Sequence, residues 1–409
     1  MSARSLSIGF ARLSDCAPLV AAKETGAFAK QGLDVALTRF DSWAAMRDAL
    51  AHGAIDAAHM LSPMVIASAA GLEPPAPRFR TAFIFNLNGN SITVSEAIYE
   101  EMRRIAPQYM NRRPLTASAL KALIDLRRAR GERQITLAYV YHFSMHAYEL
   151  RYWLAAAGID PRRDVRLVVT PPSLMAEALA SGAIDGFCVG EPWGEVAASE
   201  GSGRTLITSC ELWPGKPEKA LAVRADWADA NSDIHRLLIS ALLQAAIWLD
   251  PPANRLAAAR MLAKPDYVDM DVGNIAASLT GEHWRTGGSD RASDADFNVF
   301  HRYAANFPWR SHAKWILSQM IRWGEAPPGI GIEAIADAAY DCAFYRETAT
   351  ALGVPCPTVD ERIEGAHPHA WLLSEATSPI ACAANRFLDG RVFDPADIEG
   401  YISADTFGT

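Results

Sequence analysis

A thirteen-residue segment occurs twice in this chain and constrains its fold more than any other sequence feature. MRDALAHGAIDAA (46–58) and MAEALASGAIDGF (175–187) agree at eight of thirteen positions, including Gly-Ala-Ile-Asp. In each copy a helix-forming stretch ends at a glycine, Gly53 or Gly182, and an apolar run follows. Glycine is common just past a helix end, and short apolar runs are typical of buried parallel strands. The repeat therefore predicts two similar α/β lobes that share a cleft; chance similarity between alanine-rich helices is the alternative.

The order of the elements around the two copies supports a duplicated lobe. Residues 6–39 read as strand, helix and strand, and residues 135–169 repeat that order before the second copy. Parallel strands joined through a helix form right-handed βαβ units. A mostly helical C-terminal extension, residues 254–409, is expected to cap the first lobe. The predicted lobes are lobe 1, residues 1–95 and 220–409, and lobe 2, residues 96–219.

Length, charge and cysteine content exclude several classes of protein. With 409 residues the chain is long enough for two or three lobes. Its 39 basic and 47 acidic residues leave a net charge of −8, which does not indicate binding to nucleic acid or to an anionic membrane. The sequence shows no secretory signal and no membrane-spanning run of ~20 apolar residues, so we expect a cytoplasmic protein. The six cysteines lack metal-ligand spacing and are expected to be packed thiols.

The sequence contains no catalytic signature. The nucleophile elbow, the zinc-protease motif, the phosphate loop and the dinucleotide-binding fingerprint are all missing. Asp266, Asp269 and Asp271 could together hold a hard cation, and the arginines of segment 127–133 could bind phosphate, but solvated surface is favoured for both. We therefore predict no enzymatic activity, no cofactor and no metal site.

Residues at the predicted strand ends suit a small anion. Ligands of open α/β sheets bind outside the carboxyl ends of the strands. Lys219 provides a fixed positive charge there, His146 lies at a helix start, and Trp43 provides an aromatic wall that excludes water. Each residue alone is more often a surface or core residue, so the prediction depends on their convergence. The candidate ligand-binding residues are Trp43, Gly89, Asn90, His146 and Lys219.

Longer motifs resemble the nitrate- and bicarbonate-binding proteins of cyanobacterial-type ABC importers. The resemblance implies a bilobal α/β fold of the type II periplasmic-binding-protein class with a ligand cleft and no catalysis. It also places the family's anion pocket at the five candidate residues. Glu191, an acid beside that pocket, suits a hinge or interlobe contact better than a ligand contact. The motifs that carry the resemblance include LSDCAPLVAAKETGAF (13–28), NLNGNSITVS (86–95), GFCVGEPW (186–193) and PEKALAVRADW (217–227).

The member that the chain resembles most is a cytosolic nitrate/nitrite sensor, which restrains an RNA-binding antiterminator of nitrate assimilation genes. Lys219 favours nitrate or nitrite, because bicarbonate-binding members carry a carboxylate at this place and recruit calcium. Adjacent Glu218 would reverse that preference if the alignment shifted by one residue.

The resemblance thus implies a cytoplasmic sensor with an antiterminator partner and without direct contact to nucleic acid or insertion into a membrane. The solute-binding component of a nitrate or bicarbonate ABC transporter is the alternative. An enzyme of the thiamine-pyrimidine synthase type is disfavoured, because its cysteine cluster is missing.

Overall fold

The computed structural model describes residues 4–73, 77–284 and 291–404, in which two five-stranded sheets form the framework. Short hairpins and paired segments supplement the two sheets. The strands in chain order are β1 (Arg4–Phe10), β2 (Leu33–Arg39), β3 (Ala57–Leu61), β4 (Phe79–Arg80), β5 (Leu87–Asn88), β6 (Asn90–Ser95), β7 (Thr136–Tyr139), β8 (Arg166–Val169), β9 (Gly186–Gly190), β10 (Gly203–Thr208), β11 (Lys219–Arg224), β12 (Glu282–Trp284), β13 (Arg291–Ser293), β14 (Asn298–Val299), β15 (Trp371–Leu373) and β16 (Ile380–Cys382).

Helices cover the faces of both sheets and form most of the C-terminal extension. Short 3-10 helices lie at Ser14–Cys16 and Pro172–Leu174. The α-helices of the described residues are α1 (Ala17–Glu24), α2 (Ala27–Lys30), α3 (Trp43–Ala51), α4 (Ser62–Ala69), α5 (Glu96–Ile105), α6 (Pro107–Met110), α7 (Ser118–Ala129), α8 (Met145–Ala155), α9 (Met175–Ala180), α10 (Trp193–Ser199), α11 (Ser209–Leu212), α12 (Ala225–Ala230), α13 (Ser232–Leu249), α14 (Pro252–Leu262), α15 (Val272–Thr280), α16 (Arg310–Arg322), α17 (Ile332–Ala339), α18 (Cys342–Ala351) and α19 (Ile398–Ser403).

The two sheets have equivalent strand orders, which confirms the predicted pair of similar α/β lobes. Sheet 1 has the order β2-β1-β3-β11-β4, and sheet 2 has the order β8-β7-β9-β6-β10. The first three strands of each sheet are parallel. The fourth strand runs antiparallel to the strand of the repeat, β3 or β9. The fold is therefore bilobal, and each lobe has the same mixed sheet.

The fourth strand of each sheet follows a crossing of the chain between the lobes. The predicted boundary after residue 95 places β6 in lobe 1, whereas its hydrogen bonds join it to β9 and β10 of sheet 2. The first crossing therefore precedes residue 90, and β11 returns the chain to sheet 1 beside β3. The apolar pattern of a strand shows that a strand forms, but it does not show which sheet receives it.

The glycines of the repeat end helices in both lobes, as the sequence predicts. Gly53 follows α3 with a φ of 72°, and Gly182 follows α9 with a φ of 74°. These values lie in the left-handed region, which glycine adopts without steric cost. Each glycine therefore turns the chain from its helix toward the next strand.

The aspartates of the repeat fasten each copy to the neighbouring parallel strand, β1 or β7. The backbone N–H of Asp56 donates to Ser7 O at 2.8 Å, and the carboxylate accepts from Ser7 N at 2.8 Å. Asp185 forms the same two hydrogen bonds with Thr136, at 2.7 and 2.8 Å. Gly-Ala-Ile-Asp is therefore a structural motif in both lobes.

The C-terminal extension, which the sequence predicts as a cap on lobe 1, contacts both lobes. On the side of lobe 1, α18 packs against α13. On the side of lobe 2, Trp213 Nε1 donates to Asn385 Oδ1 at 3.0 Å, and the Tyr152 hydroxyl donates to Asp389 Oδ1 at 2.7 Å. The Phe387 ring lies 4.7 Å from the Trp213 ring between centroids. Helical periodicity shows which face of a helix is apolar, but it does not show which lobe packs against that face.

All six cysteines are buried free thiols, which confirms the expectation of packed thiols. Among the described residues, no helix has the length and apolar character needed to cross a lipid bilayer.

Alanine at either repeat aspartate should destabilise the protein. We expect Asp56→Ala and Asp185→Ala each to lower the free energy of unfolding by about 1–3 kcal/mol, because a strand N–H loses its carboxylate acceptor. The losses should add in the double variant, since the two sites lie in different lobes. Asp125→Ala is the control, because Asp125 is an exposed partner of Lys121. Urea unfolding measures the effect, and variants as stable as the control would contradict the structural role.

Candidate functional site

A buried network of charged side chains lies between the two lobes. At most 3% of each of these side chains is exposed. Burial of an isolated charge is very costly, and opposite charges in direct contact are what make such burial tolerable. Within the described residues, the network has three carboxylates and two ammonium groups: Asp15, Glu149, Glu218, Lys216 and Lys219.

Lys219, the first residue of β11, forms ion pairs with carboxylates from two segments. Its Nζ lies 2.8 Å from Asp15 Oδ2 and 2.7 Å from Glu218 Oε1. The same Nζ lies 5.7 Å from the centroid of the Trp43 ring, within cation–π range. Burial favours the neutral amine, but the two carboxylates outweigh it and raise the pKa of Lys219 above its ordinary value. Lys219 is therefore charged at neutral pH.

Glu218, the residue before β11, connects Lys219 to side chains of lobe 2. Its Oε1 lies 3.5 Å from His146 Nε2, and its Oε2 accepts from Asn90 Nδ2 at 2.7 Å. The same carboxylate pairs with Lys216. Burial favours the protonated acid, but Lys216 and Lys219 outweigh it and hold the pKa of Glu218 far below its usual range.

Helix α8 positions His146 and Glu149 on one face, since they are three residues apart. The helix is capped by Ser144, whose side chain accepts a backbone hydrogen bond of the first turn. Glu149 Oε1 lies 2.5 Å from Lys216 Nζ, and Oε2 accepts from Asn90 Nδ2 at 3.0 Å. Burial lowers the pKa of His146 to about 3, so the ring is neutral. Burial also raises the pKa of Glu149, although Lys216 opposes this shift.

The structure brings Trp43, Asn90, His146 and Lys219 together and places Gly89 beside them. Gly89 has a φ of 93°, and a Cβ at this position would lie 2.4 Å from Asn298 Oδ1. Glycine is therefore needed there for close packing and for the left-handed backbone. No contact of a Gly89 amide with the network is seen among the described residues, so its role as a ligand-binding residue stays a prediction.

Some polar atoms of the site have no hydrogen-bond partner among the described residues. They include Trp43 Nε1, Asn90 Oδ1 and His146 Nδ1. Buried polar groups are nearly always hydrogen-bonded, to protein, water or a ligand. Asn90 directs its amide hydrogens at Glu149 and Glu218. Its amide group is therefore already engaged as a donor, whereas Trp43 retains an unused N–H.

Sequence reasoning missed much of the charged network. Asp15, Glu149 and Lys216 are not among the residues that the sequence predicts for ligand binding, and Glu218 enters only as the neighbour of Lys219. A signal was nevertheless present. Glu149 interrupts an apolar helix three residues after His146, and Lys216 lies three residues before Lys219. A charge that interrupts an apolar segment is rarely buried without a partner.

Two other polar clusters singled out in the sequence have structural roles. Asp271 caps α15, since its carboxylate accepts from the backbone N–H of Gly273 at 2.8 Å. Arg133 forms a bidentate ion pair with Asp185, with N–O distances of 2.6 and 2.7 Å. Across residues 4–73, 77–284 and 291–404, no group of three or more histidine, cysteine or acidic side chains is arranged to hold a metal ion.

The lobes contact each other around the charged network. Ser14 N donates to the backbone oxygen of Glu191 at 2.8 Å, so Glu191 lies at an interlobe contact through its main chain. Its carboxylate accepts from Ser91 Oγ and from Glu195 N within lobe 2. Trp193 Nε1 donates to Arg12 O at 3.1 Å. The lobes thus close over the network, and this closure explains why its charges are buried.

Comparisons with known proteins identify the family. Residues 2–263 match the NMT1-like family. The chain belongs to this family. The nitrate/nitrite binding protein NrtA of Synechococcus elongatus is 34% identical over 411 residues, which span 98% of this chain and 85% of that protein. The crystal structure of the periplasmic nitrate-binding protein NrtA from Synechocystis PCC 6803 superposes with a TM-score of 0.86, at 28% identity and over 99% of both chains.

A third relative comes from a bicarbonate transport system. The bicarbonate transport ATP-binding protein CmpC of Synechocystis is 37% identical over 325 residues. The match covers 79% of this chain but 46% of that protein, so more than half of CmpC lies outside the match. The resemblance to nitrate- and bicarbonate-binding proteins is therefore confirmed. The two NrtA relatives, which match over most of their length, are solute-binding proteins and not enzymes.

The buried His146 should make stability depend on pH. Its folded-state pKa is about 3, whereas an unfolded histidine has a pKa of about 6.5. Between these values only the unfolded chain binds the proton, so stability falls as the pH decreases from 6.5 toward 3.

We expect His146→Gln to remove up to about 1.4 kcal/mol per pH unit of this slope. Urea unfolding between pH 7 and pH 4 measures the difference from the wild type. His52→Gln, at an exposed histidine, is the control. A His146→Gln slope identical to that of the wild type would show that this ring does not oppose protonation in the folded state.

Proposed function

We propose that the protein binds nitrate or nitrite in the cleft between its lobes. The observation that carries the proposal is Lys219, a buried ammonium beside Trp43, in a chain that is 34% identical over 98% of its length to a nitrate/nitrite binding protein. Nitrate and nitrite stay ionised at neutral pH, so a buried site for them needs a fixed positive charge.

The donors around Lys219 suit a small planar anion. An ammonium group has three hydrogens, and Asp15 and Glu218 accept two of those of Lys219. Trp43 offers an indole N–H, and neutral His146 offers one ring N–H. The Trp43 ring forms an apolar wall, and water exclusion strengthens the remaining hydrogen bonds. One charge-assisted contact with a few hydrogen bonds is consistent with micromolar affinity, or about −8 kcal/mol.

Isothermal titration calorimetry with nitrate, nitrite, bicarbonate and chloride tests this function. We expect micromolar binding of nitrate or nitrite, and Lys219→Gln should weaken it about 100-fold, because a charged hydrogen bond is lost. Lys121→Gln is the matched control, since Lys121 pairs with Asp125 at the surface. Failure of the wild type to bind either anion, or unchanged binding by Lys219→Gln, would contradict the proposal. Binding of bicarbonate alone, with calcium, would favour the bicarbonate alternative.

We further propose that the protein is a cytoplasmic sensor, which regulates nitrate assimilation through an RNA-binding antiterminator. The sequence resemblance supports this finer assignment. A ligand shifts a conformational equilibrium only through its different affinity for the two states. An anion at Lys219 meets this condition, because the network joins Asp15 of lobe 1 to Asn90 and His146 of lobe 2. The names of the relatives favour the alternative, a binding component of an ABC transporter.

Affinity capture from the native host, with and without nitrate, distinguishes the two roles. A sensor should retain an RNA-binding antiterminator in a nitrate-dependent manner, because closure changes the surface that the partner recognises. Mass spectrometry identifies the captured proteins, and cell fractionation locates the bait. Capture of a membrane permease, with the bait outside the cytoplasm, would contradict the sensor and support the transporter component.

A further inference from the structure

The carboxylate of Glu218 occupies the centre of the candidate anion site. It contacts Lys219 at 2.7 Å and Asn90 at 2.7 Å, and it lies 3.5 Å from His146. Lys216 is its fourth partner. Asn90, His146 and Lys219 are the polar side chains that the sequence predicts for ligand binding. The protein thus holds its own planar anion with the groups that an external anion needs.

We propose that Glu218 is an internal anion that competes with the external ligand and so sets the affinity of the site. This inference rests on the proposed function, because it concerns the same cleft. A carboxylate presents two oxygens in one plane, as nitrite does and as any two oxygens of nitrate do. The donors that accommodate Glu218 are therefore suited in number and direction to the proposed ligands.

The charges of the network give the competition its physical basis. Within the described residues, three carboxylates face two ammonium groups, so the network has no spare positive charge for a further anion. An additional monoanion in a buried site would face like-charge repulsion that water does not screen. Displacement of Glu218 from the lysines, together with its protonation, removes one negative charge and frees Lys219 for the ligand.

The backbone of Glu218 is fixed, so only its side chain can move aside. Its N–H donates to Asn86 O at 3.2 Å. Its carbonyl oxygen accepts from Ser62 N at 3.1 Å and from Ser62 Oγ at 2.8 Å. Displacement is therefore a rotamer change of Glu218, which leaves β11 and Lys219 in place.

The exchange should also be linked to protons. A buried carboxylate that loses its ammonium partners is strongly favoured to take up a proton. The proton uptake is a property of the whole network and not of Glu218 alone, since interacting buried groups titrate together. The titratable groups that face Glu218 directly or through one partner are Lys216 and Lys219 beside it in the chain, His146 and Glu149 on α8, and Asp15 before α1; His59 on β3 follows behind Asp15.

Nitrate titration of Glu218→Gln tests the competition. We expect this variant to bind nitrate at least about tenfold more tightly than the wild type, because one negative charge beside the ligand is removed while the shape is kept. Glu96→Gln, which removes a partly exposed carboxylate paired with Arg204, is the matched control and should bind as the wild type does. Equal or weaker binding by Glu218→Gln would overturn the inference and would assign Glu218 the role of holding the lysines in position.

A measurement on the wild type keeps the inference testable if Glu218→Gln does not fold. Calorimetry with nitrate in two buffers of different ionisation enthalpy reports the protons taken up on binding. Proton uptake by the wild type at neutral pH supports the internal anion, and binding without uptake overturns it while the proposed function stands. Absence of nitrate and nitrite binding in the wild type and in Glu218→Gln would reject the proposed function together with this inference.

Discussion

The ion pairs of Lys219 with Asp15 and Glu218 are the contacts on which the arrangement of the cleft depends. A buried ammonium persists only where opposite charges and hydrogen bonds compensate its loss of hydration. Asp15 belongs to the first lobe, whereas Glu218 contacts Asn90 and His146 of the second lobe. The network that compensates the charge of Lys219 and of Glu218 therefore has members from both lobes. An anion that enters this network changes the interactions that hold the lobes together.

The fold could be predicted from the sequence because its main signals are local. Gly53 and Gly182 end helices, and Asp56 and Asp185 then bond to the neighbouring strand. The repeat therefore determines how β3 and β9 join the parallel part of each sheet. The local sequence does not show which sheet β6 joins, because the choice between the two sheets depends on tertiary contacts. For the same reason the sequence does not show that the C-terminal extension also contacts lobe 2, where Asn385 bonds to Trp213.

The candidate site was predictable where chain topology brings strand ends together. Lys219 begins β11, and His146 lies in the first turn of α8 after β7, so both lie at the cleft edge of their sheets. The pairing of Lys216 with Glu149 was not predictable, because nothing near either residue in the sequence indicates the other. The role of Glu218 was likewise hidden. The sequence raised its charge as an argument against Lys219, whereas the structure shows the two side chains as partners.

A crystal structure of the protein with nitrate tests the central claim most directly. The claim is that the Lys219 network is an anion site which both lobes share. It predicts a planar anion in hydrogen-bond contact with Lys219 Nζ, with the Glu218 side chain turned away from it. Nitrate bound elsewhere, with Lys219 still paired to Asp15 and Glu218 as described above, would contradict it.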